Sequence, residues 1–144
     1  MVRFISAEKT LPLRSEVLRE GRPLSACVFP QDIEKGGFHL GYFIEEELIG
    51  IASFFLKAHP LAKGIAYQLR GMAIAPNHQG NGFGKKLIDF AKTQLKVTNA
   101  QFIWCNARTS AKSFYERLGF EVVSPEFLIE DVGPHYEMLL TLDN

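Results

Sequence analysis

Along the chain, apolar and polar positions form short alternating runs and two longer stripes of helical spacing. Val2–Ile5 predicts a first strand. Thr10 is expected to cap a short helix that carries Pro12 in its first turn and ends near residue 20. Residues 21–37 hold Pro23, Pro30 and the pair Gly36-Gly37, and read as a long loop with at most one helical turn. Phe38–Ile44 and residues 48–57 read as strands joined by the acidic tip Glu45-Glu46-Glu47. His59-Pro60 opens a loop to about Gly64, and residues 65–75 read as a long central strand. In residues 82–97, Leu87, Ile88, Ala91 and Leu95 recur at helical spacing, with Lys86, Asp89 and Lys96 on the other face. Residues 101–106 predict a buried strand. Thr109 is expected to cap a further helix to about Leu118, with Gly119 as its C-terminal cap. Residues 120–123 and 136–142 read as closing strands, and residues 126–130 either extend the first of these or form a loop. Strands that first meander and then alternate with two helices predict a mixed, largely antiparallel α/β sheet with helices on both faces.

Composition narrows the function classes. At 144 residues, the chain is expected to form a single domain, 1–144, with a sizeable core. Hydrophobic residues make up 47% of it, which excludes a disordered reading. Sixteen basic residues cancel sixteen acidic ones, so the positive surplus that phosphate-backbone binding needs is missing, and no nucleic-acid partner is expected. No apolar run approaches the roughly 20 residues of a membrane-spanning helix. Met1-Val2-Arg3-Phe4-Ile5 has no signal-peptide core. Cys27 and Cys105 make neither a disulfide framework nor a metal spacing. A cytoplasmic protein with no metal and no membrane association is expected.

The most informative segment is Gln79-Gly80-Asn81-Gly82-Phe83-Gly84-Lys85, between an apolar strand and a helix. A glycine-rich turn at a helix start exposes backbone N–H groups without helical partners, and the helix dipole adds positive potential there. Such a turn favours a phosphate or pyrophosphate. It is not a P-loop, because Gln79 stands where the first glycine should be and Lys86 where a Ser/Thr should be. It is not a dinucleotide fingerprint either: Lys85 takes the third glycine position, and no acidic residue follows at the required offset. What remains is the pattern Gln-x-x-Gly-x-Gly.

With the strand Met72-Ala73-Ile74-Ala75-Pro76 before it and Ala111-Lys112-Ser113-Phe114-Tyr115-Glu116-Arg117-Leu118-Gly119-Phe120 after it, this pattern resembles the GCN5-related N-acetyltransferase (GNAT) superfamily. The resemblance implies the acyl-CoA N-acyltransferase fold, in which two neighbouring parallel strands splay apart around the pantetheine arm of the cofactor. Here they would be residues 69–75 and 101–106. It also implies an acetyl-CoA-dependent N-acyltransferase that moves an acetyl group to a small-molecule or protein amine by direct attack in a ternary complex. The alternative is a non-catalytic CoA-binding sensor or assembly module on the same fold. Homodimers are common for this fold, and a homodimer is left open.

The implied roles fall on particular positions. Backbone amides of Gln79, Gly80, Asn81, Gly82, Phe83, Gly84 and Lys85 would hold the pyrophosphate. Main-chain groups of Met72, Ala73 and Ile74 would pair with the pantetheine, and an N–H near Met72 would face the thioester oxygen. Tyr115 matches the family's tyrosine near the cofactor sulfur, where a phenol can protonate the departing thiolate; its position also suits a core stripe with Phe114 and Leu118. Where many members carry Asn, seven positions before that tyrosine, this chain has Arg108; Asn106 lies two residues earlier. Either is placed near the cofactor, and a solvated Arg108 is equally open. His135, in a turn entering the last strand, is the leading general base because imidazole titrates near neutrality; an ordinary surface histidine is the competing reading. His39 reads as structural, His78 as surface-exposed and residues 45–47 as solvated. Arg70, charged within a strand expected to be buried, needs a partner: either an internal carboxylate or the acceptor.

Overall fold

The computed structural model describes residues 1–142. The chain forms two compact units, one of Met1–Phe55 and Arg70–Gln94, the other of Leu56–Leu69 and the chain from Leu95 onward.

The first unit opens with β1 (Val2–Ile5) and α1 (Ala7–Leu13). Helix α1 starts four residues earlier than expected. Ser6, in an extended conformation, is its N-cap, while Thr10 lies inside and fully buried. The Thr10 hydroxyl donates to the Ala7 carbonyl instead of capping anything. Pro12 has no N–H to give to the carbonyl four residues back and crowds that oxygen. Regular α geometry stops one residue later, and Arg14–Leu18 continues as a π turn, a wider geometry that recurs at functional sites.

Residues 21–37 contain two short 3₁₀ turns, Leu24–Cys27 and Pro30–Ile33, where at most one was expected. Strand β2 (Phe38–Ile44) pairs antiparallel with β1 and with β3 (Glu47–Leu56), with a bulge between Tyr42 and Phe43. The turn between β2 and β3 places Glu45 at a φ of 56°. The later part of β4 (Ala66–Ile74) and most of α2 (Phe83–Val97) complete this unit. Leu13, Ile51 and Ala73 pack against Ile5, Val17, Leu18, Leu48 and Ala75. The apolar stripe of α2 is buried at Leu87, Ile88, Ala91 and Leu95, as its periodicity requires.

A buried polar network fastens the irregular segment of the first unit. Arg14, 1% exposed, makes a two-pronged ion pair with Asp32, at 2.8 and 3.0 Å, and donates to the Cys27 carbonyl at 3.1 Å and to Ser53 Oγ at 3.0 Å. Asp32 also accepts the Phe29 N–H at 2.9 Å. With Ser53 Oγ accepting from Arg14, its own proton is directed at His39 Nδ1, 2.7 Å away. Phe29 lies against two guanidinium groups, Arg14 at 3.8 Å and Arg70 at 4.1 Å from its ring centre. His39 is thus structural, as the sequence suggested.

The second unit is organised by β8 (Gly133–Thr141). It pairs antiparallel along one edge with β5 (Phe102–Arg108), from Phe102↔Thr141 to Arg108↔His135. Its other edge takes β6 (Glu121–Val122) and then β7 (Phe127–Ile129), so residues 126–130 hold a strand of their own. The start of β4 pairs parallel with β5 over three positions, ending at Gln68↔Trp104, although both strands continue.

Ala62, Ala66 and Trp104 form one core cluster of this unit with Phe102 and Leu139, and Trp104 Nε1 donates to the Lys57 carbonyl at 2.9 Å. His59 Nδ1 accepts the Leu61 N–H, so its Nε2 carries the proton and donates to Glu137 at 2.9 Å. After a 3₁₀ turn, Thr109–Ala111, comes α3 (Lys112–Arg117). Thr109 does not cap it: its hydroxyl donates to Glu126 Oε2 at 2.8 Å. Gly119 ends the helix as expected, with a φ of 99°. Among the described residues, no helix is long and apolar enough to cross a membrane.

Two stability predictions follow from the Arg14 network. Truncating Asp32 leaves a buried unpaired guanidinium, so Asp32→Ala should cost about 3–5 kcal/mol in denaturant unfolding. Burial pushes the His39 imidazole below its usual range, and Arg14 pushes it further while Asp32 opposes. The unfolded chain therefore takes up this proton first, and stability falls as pH drops through about 6.5. Thermal midpoints measured from pH 7.5 to 5 should decline, and His39→Gln should flatten that decline.

Candidate functional site

Strand β4 ends at Ile74, and the following Ala75 N–H donates to the Ile49 carbonyl at 2.8 Å, which fixes where the next turn begins. A 3₁₀ turn, Pro76–His78, leads into the glycine segment. Gly80 and Gly82 both have a φ of 80°, in the left-handed region that costs other residues about 1–2 kcal/mol. A Cβ at either would meet nothing within 4 Å, so the requirement here is the dihedral and not a lack of room. Gln79 Nε2 donates back to the Ile74 carbonyl at 3.0 Å, and Asn81 Nδ2 to the His78 carbonyl at 3.3 Å. Both side chains close the turn on itself.

The first bond of α2 runs from the Lys86 N–H to the Gly82 carbonyl. The N–H groups of Gly80 through Lys85 take no hydrogen bond among the described residues. They form a row of donors at the positive end of a 15-residue helix, with Gly80, Asn81, Gly82 and Lys85 exposed. Lys85 pairs with Asp89 at 2.6 Å, and Lys86 lies over Tyr42 and Phe83. The donors, the open space beside both glycines and the nearby lysines fit a pyrophosphate.

Upstream of the turn, Met72 and Ile74 are half-buried, while Ala73 faces the core. Gly71 has a φ of 65° inside β4, and a Cβ there would fall 3.1 Å from the Phe29 ring and 3.4 Å from Arg14 Nε. Both the dihedral and the space demand glycine at this position, which the sequence reading passed over; a glycine inside a strand was its only signal. Arg70 has no carboxylate partner among the described residues. Its Nη1 donates to Gln31 Oε1 at 2.6 Å. His78 lies beside the Phe83 ring, and Glu45 to Glu47 are exposed at the hairpin tip.

In the second unit, Tyr115 is the buried residue of α3, set against the Phe114 and Phe120 rings at 5.0 and 5.3 Å. Its hydroxyl makes no hydrogen bond among the described residues. Burial raises the phenol well above its ordinary value of 10, and nearby Cys105 adds to the shift. The Cys105 thiol is itself pushed up by burial, so it stays protonated. Tyr115 is therefore a neutral O–H donor at any physiological pH.

His135 lies within β8, not in a turn before it, because the strand begins at Gly133. It is 4% exposed, and Nδ1 donates to the Gly133 carbonyl at 2.7 Å. That bond fixes the tautomer and leaves the Nε2 lone pair available to accept a proton. Arg108 pairs with it in register from β5. Asn106 and Arg108 are both exposed on one face of β5, which runs two residues beyond its expected end.

The family model for the acetyltransferase (GNAT) domain matches residues 24–142, spanning both units. The uncharacterized N-acetyltransferase YitI of Bacillus subtilis is 37% identical over 142 residues, covering 98% of this chain and 95% of its own. The ribosomal protein bS18-alanine N-acetyltransferase of Haemophilus influenzae is 42% identical over 57 residues, covering 38% of this chain and 39% of its own. Among solved structures, an aminoglycoside 6'-N-acetyltransferase complexed with coenzyme A superposes with a TM-score of 0.78 at 12% identity, covering 100% of this chain and 98% of that one. The fold matches the acyl-CoA N-acyltransferase arrangement, and the chain belongs to the GNAT acetyltransferase family.

Proposed function

We propose that this protein transfers an acetyl group from acetyl-CoA to a primary amine by direct attack within a ternary complex. The observation that carries the reading is the row of unpaired N–H groups from Gly80 to Lys85, in a turn whose dihedrals only glycine adopts cheaply. When bound, acetyl-CoA supplies the activated acetyl thioester. The turn holds its pyrophosphate by main-chain donors. Met72, Ala73 and Ile74 align the pantetheine along β4, and the N–H near Met72 donates to the thioester oxygen as negative charge develops there. Preorganised donors of that kind lower a barrier by about 3–4 kcal/mol.

The remaining roles follow from side-chain chemistry. An ammonium with a pKa near 10 must lose a proton before it attacks, and His135 Nε2 is the proposed acceptor. The departing thiolate needs a proton, and Tyr115 is its proposed source. The raised phenol pKa serves that role, because the group never ionises ahead of time. Asn106 and Arg108 are assigned to the cofactor's polar groups. The acceptor is a small molecule or a protein amine. The H. influenzae relative, named for a ribosomal protein, and the structural neighbour, named for an aminoglycoside, bracket that range.

Three outcomes test this. Calorimetry should detect acetyl-CoA binding by wild type; Gly82→Glu, which puts a carboxylate on the turn, should abolish it. Gly82→Ala, which carries the backbone strain alone, should bind within about tenfold of wild type, and no wild-type binding sinks the proposal. Tyr115→Phe should cut turnover about 100-fold with an unchanged acetyl-CoA dissociation constant; unchanged turnover removes Tyr115 from the mechanism. His135→Gln should lower kcat/KM while the acetyl-CoA dissociation constant stays near wild type. Binding without CoA release, across a broad panel of amines, would favour the sensor reading.

A further inference from the structure

We propose that the acceptor amine also carries a carboxylate, and that the Arg70 guanidinium of β4 receives it. This rests on the acetyltransferase reading above and names its substrate class.

The argument begins with charge. Besides burial, the charges of Arg14 and Arg19 disfavour the charge on Arg70, and Asp32 is the single carboxylate that opposes them there. That carboxylate is committed elsewhere. Both of its oxygens bond to Arg14, and one also accepts the Phe29 N–H. Arg70 is left with a neutral amide, Gln31, and the face of Phe29. Phe29 is itself shared with Arg14 and 6% exposed.

A half-buried cation with no paired carboxylate among the described residues is a standing cost to the fold. Neither of these partners carries the negative charge that would offset it. The geometry also suits an anion. Gln31 holds one terminal nitrogen and the Phe29 ring centre lies 4.1 Å from the guanidinium carbon, which leaves other N–H donors of the fork for a second planar group. A carboxylate accepts two parallel bonds from such a fork. Arg70 stands two residues ahead of Met72, where the thioester oxygen is placed, so a bound carboxylate would sit close to the reacting end of the acceptor.

The test uses the full chain with saturating CoA or acetyl-CoA. Amino acids are compared with their carboxamides and with the matching aminophosphonates. Wild type should favour the carboxylate over the carboxamide by at least tenfold in kcat/KM, expressed mainly in KM, and over the phosphonate by a smaller factor. Arg70→Gln should erase this ratio while the acetyl-CoA dissociation constant and the thermal midpoint stay near wild type. Arg70→Lys should keep part of the ratio, which a purely structural role for Arg70 would not produce.

Calorimetric titration of the same amines into the CoA complex gives a readout that does not depend on turnover. Equal use or binding of carboxylate and carboxamide by wild type overturns the proposal, as does a ratio that survives Arg70→Gln. A preference for the phosphonate reassigns the anion and equally overturns it. Failure of acetyl-CoA to bind at all is a different result, and it defeats the acetyltransferase reading instead.

Discussion

The ion pair between Arg14 and Asp32 sets the conditions under which the first unit keeps its shape. Residues 19–37 contain no long helix or strand and cannot hold a conformation through local hydrogen bonds. The guanidinium joins them, through Asp32 and the Cys27 carbonyl, to the π turn at one end and to Ser53 of β3 at the other. Phe29 is positioned by the same group, and Arg70 by Phe29. Arg14 Nε is the buried side-chain polar atom without a partner among the described residues, a cost of about 1–3 kcal/mol that the rest of the network must outweigh.

What was legible in the sequence was local. The glycine turn announces itself because the backbone chemistry of a phosphate site needs those residues in that order. Helix α2 follows from the spacing of Leu87, Ile88, Ala91 and Leu95. Strand β2 was readable to the residue, since alternation and the acidic tip mark both of its ends. The segment around Tyr115 was readable as a resemblance, and Gly119 as a cap, because a left-handed residue at a helix end is almost obligatory.

What was not legible depends on contacts between residues far apart. Nothing near Asp32 indicates that it pairs with a residue 18 positions earlier. Thr10 looked like a cap because threonine often is one; Ser6, four residues before it, took that place. Thr109 looked the same, but Glu126 claims its hydroxyl. His135 was read as a turn residue from Gly133-Pro134. In fact β8 starts at that glycine, because β7 offers a partner strand there. Arg70 was open between an internal carboxylate and the acceptor, and its partners within the described residues are an amide and a ring.

The three left-handed glycines of β4 and the turn differ in a way that bears on how this sequence can drift over time. Gly80 and Gly82 are constrained by a dihedral with empty space alongside, so asparagine, which enters that region more readily than other residues, is the neutral step most open to them. Gly71 is constrained twice, by its dihedral and by the Phe29 ring pressed against it. A lineage can therefore re-tune its hold on a phosphate by single substitutions in the turn. It cannot alter Gly71 without first remodelling the arginine–phenylalanine stack, so that part of the protein should change only in concert.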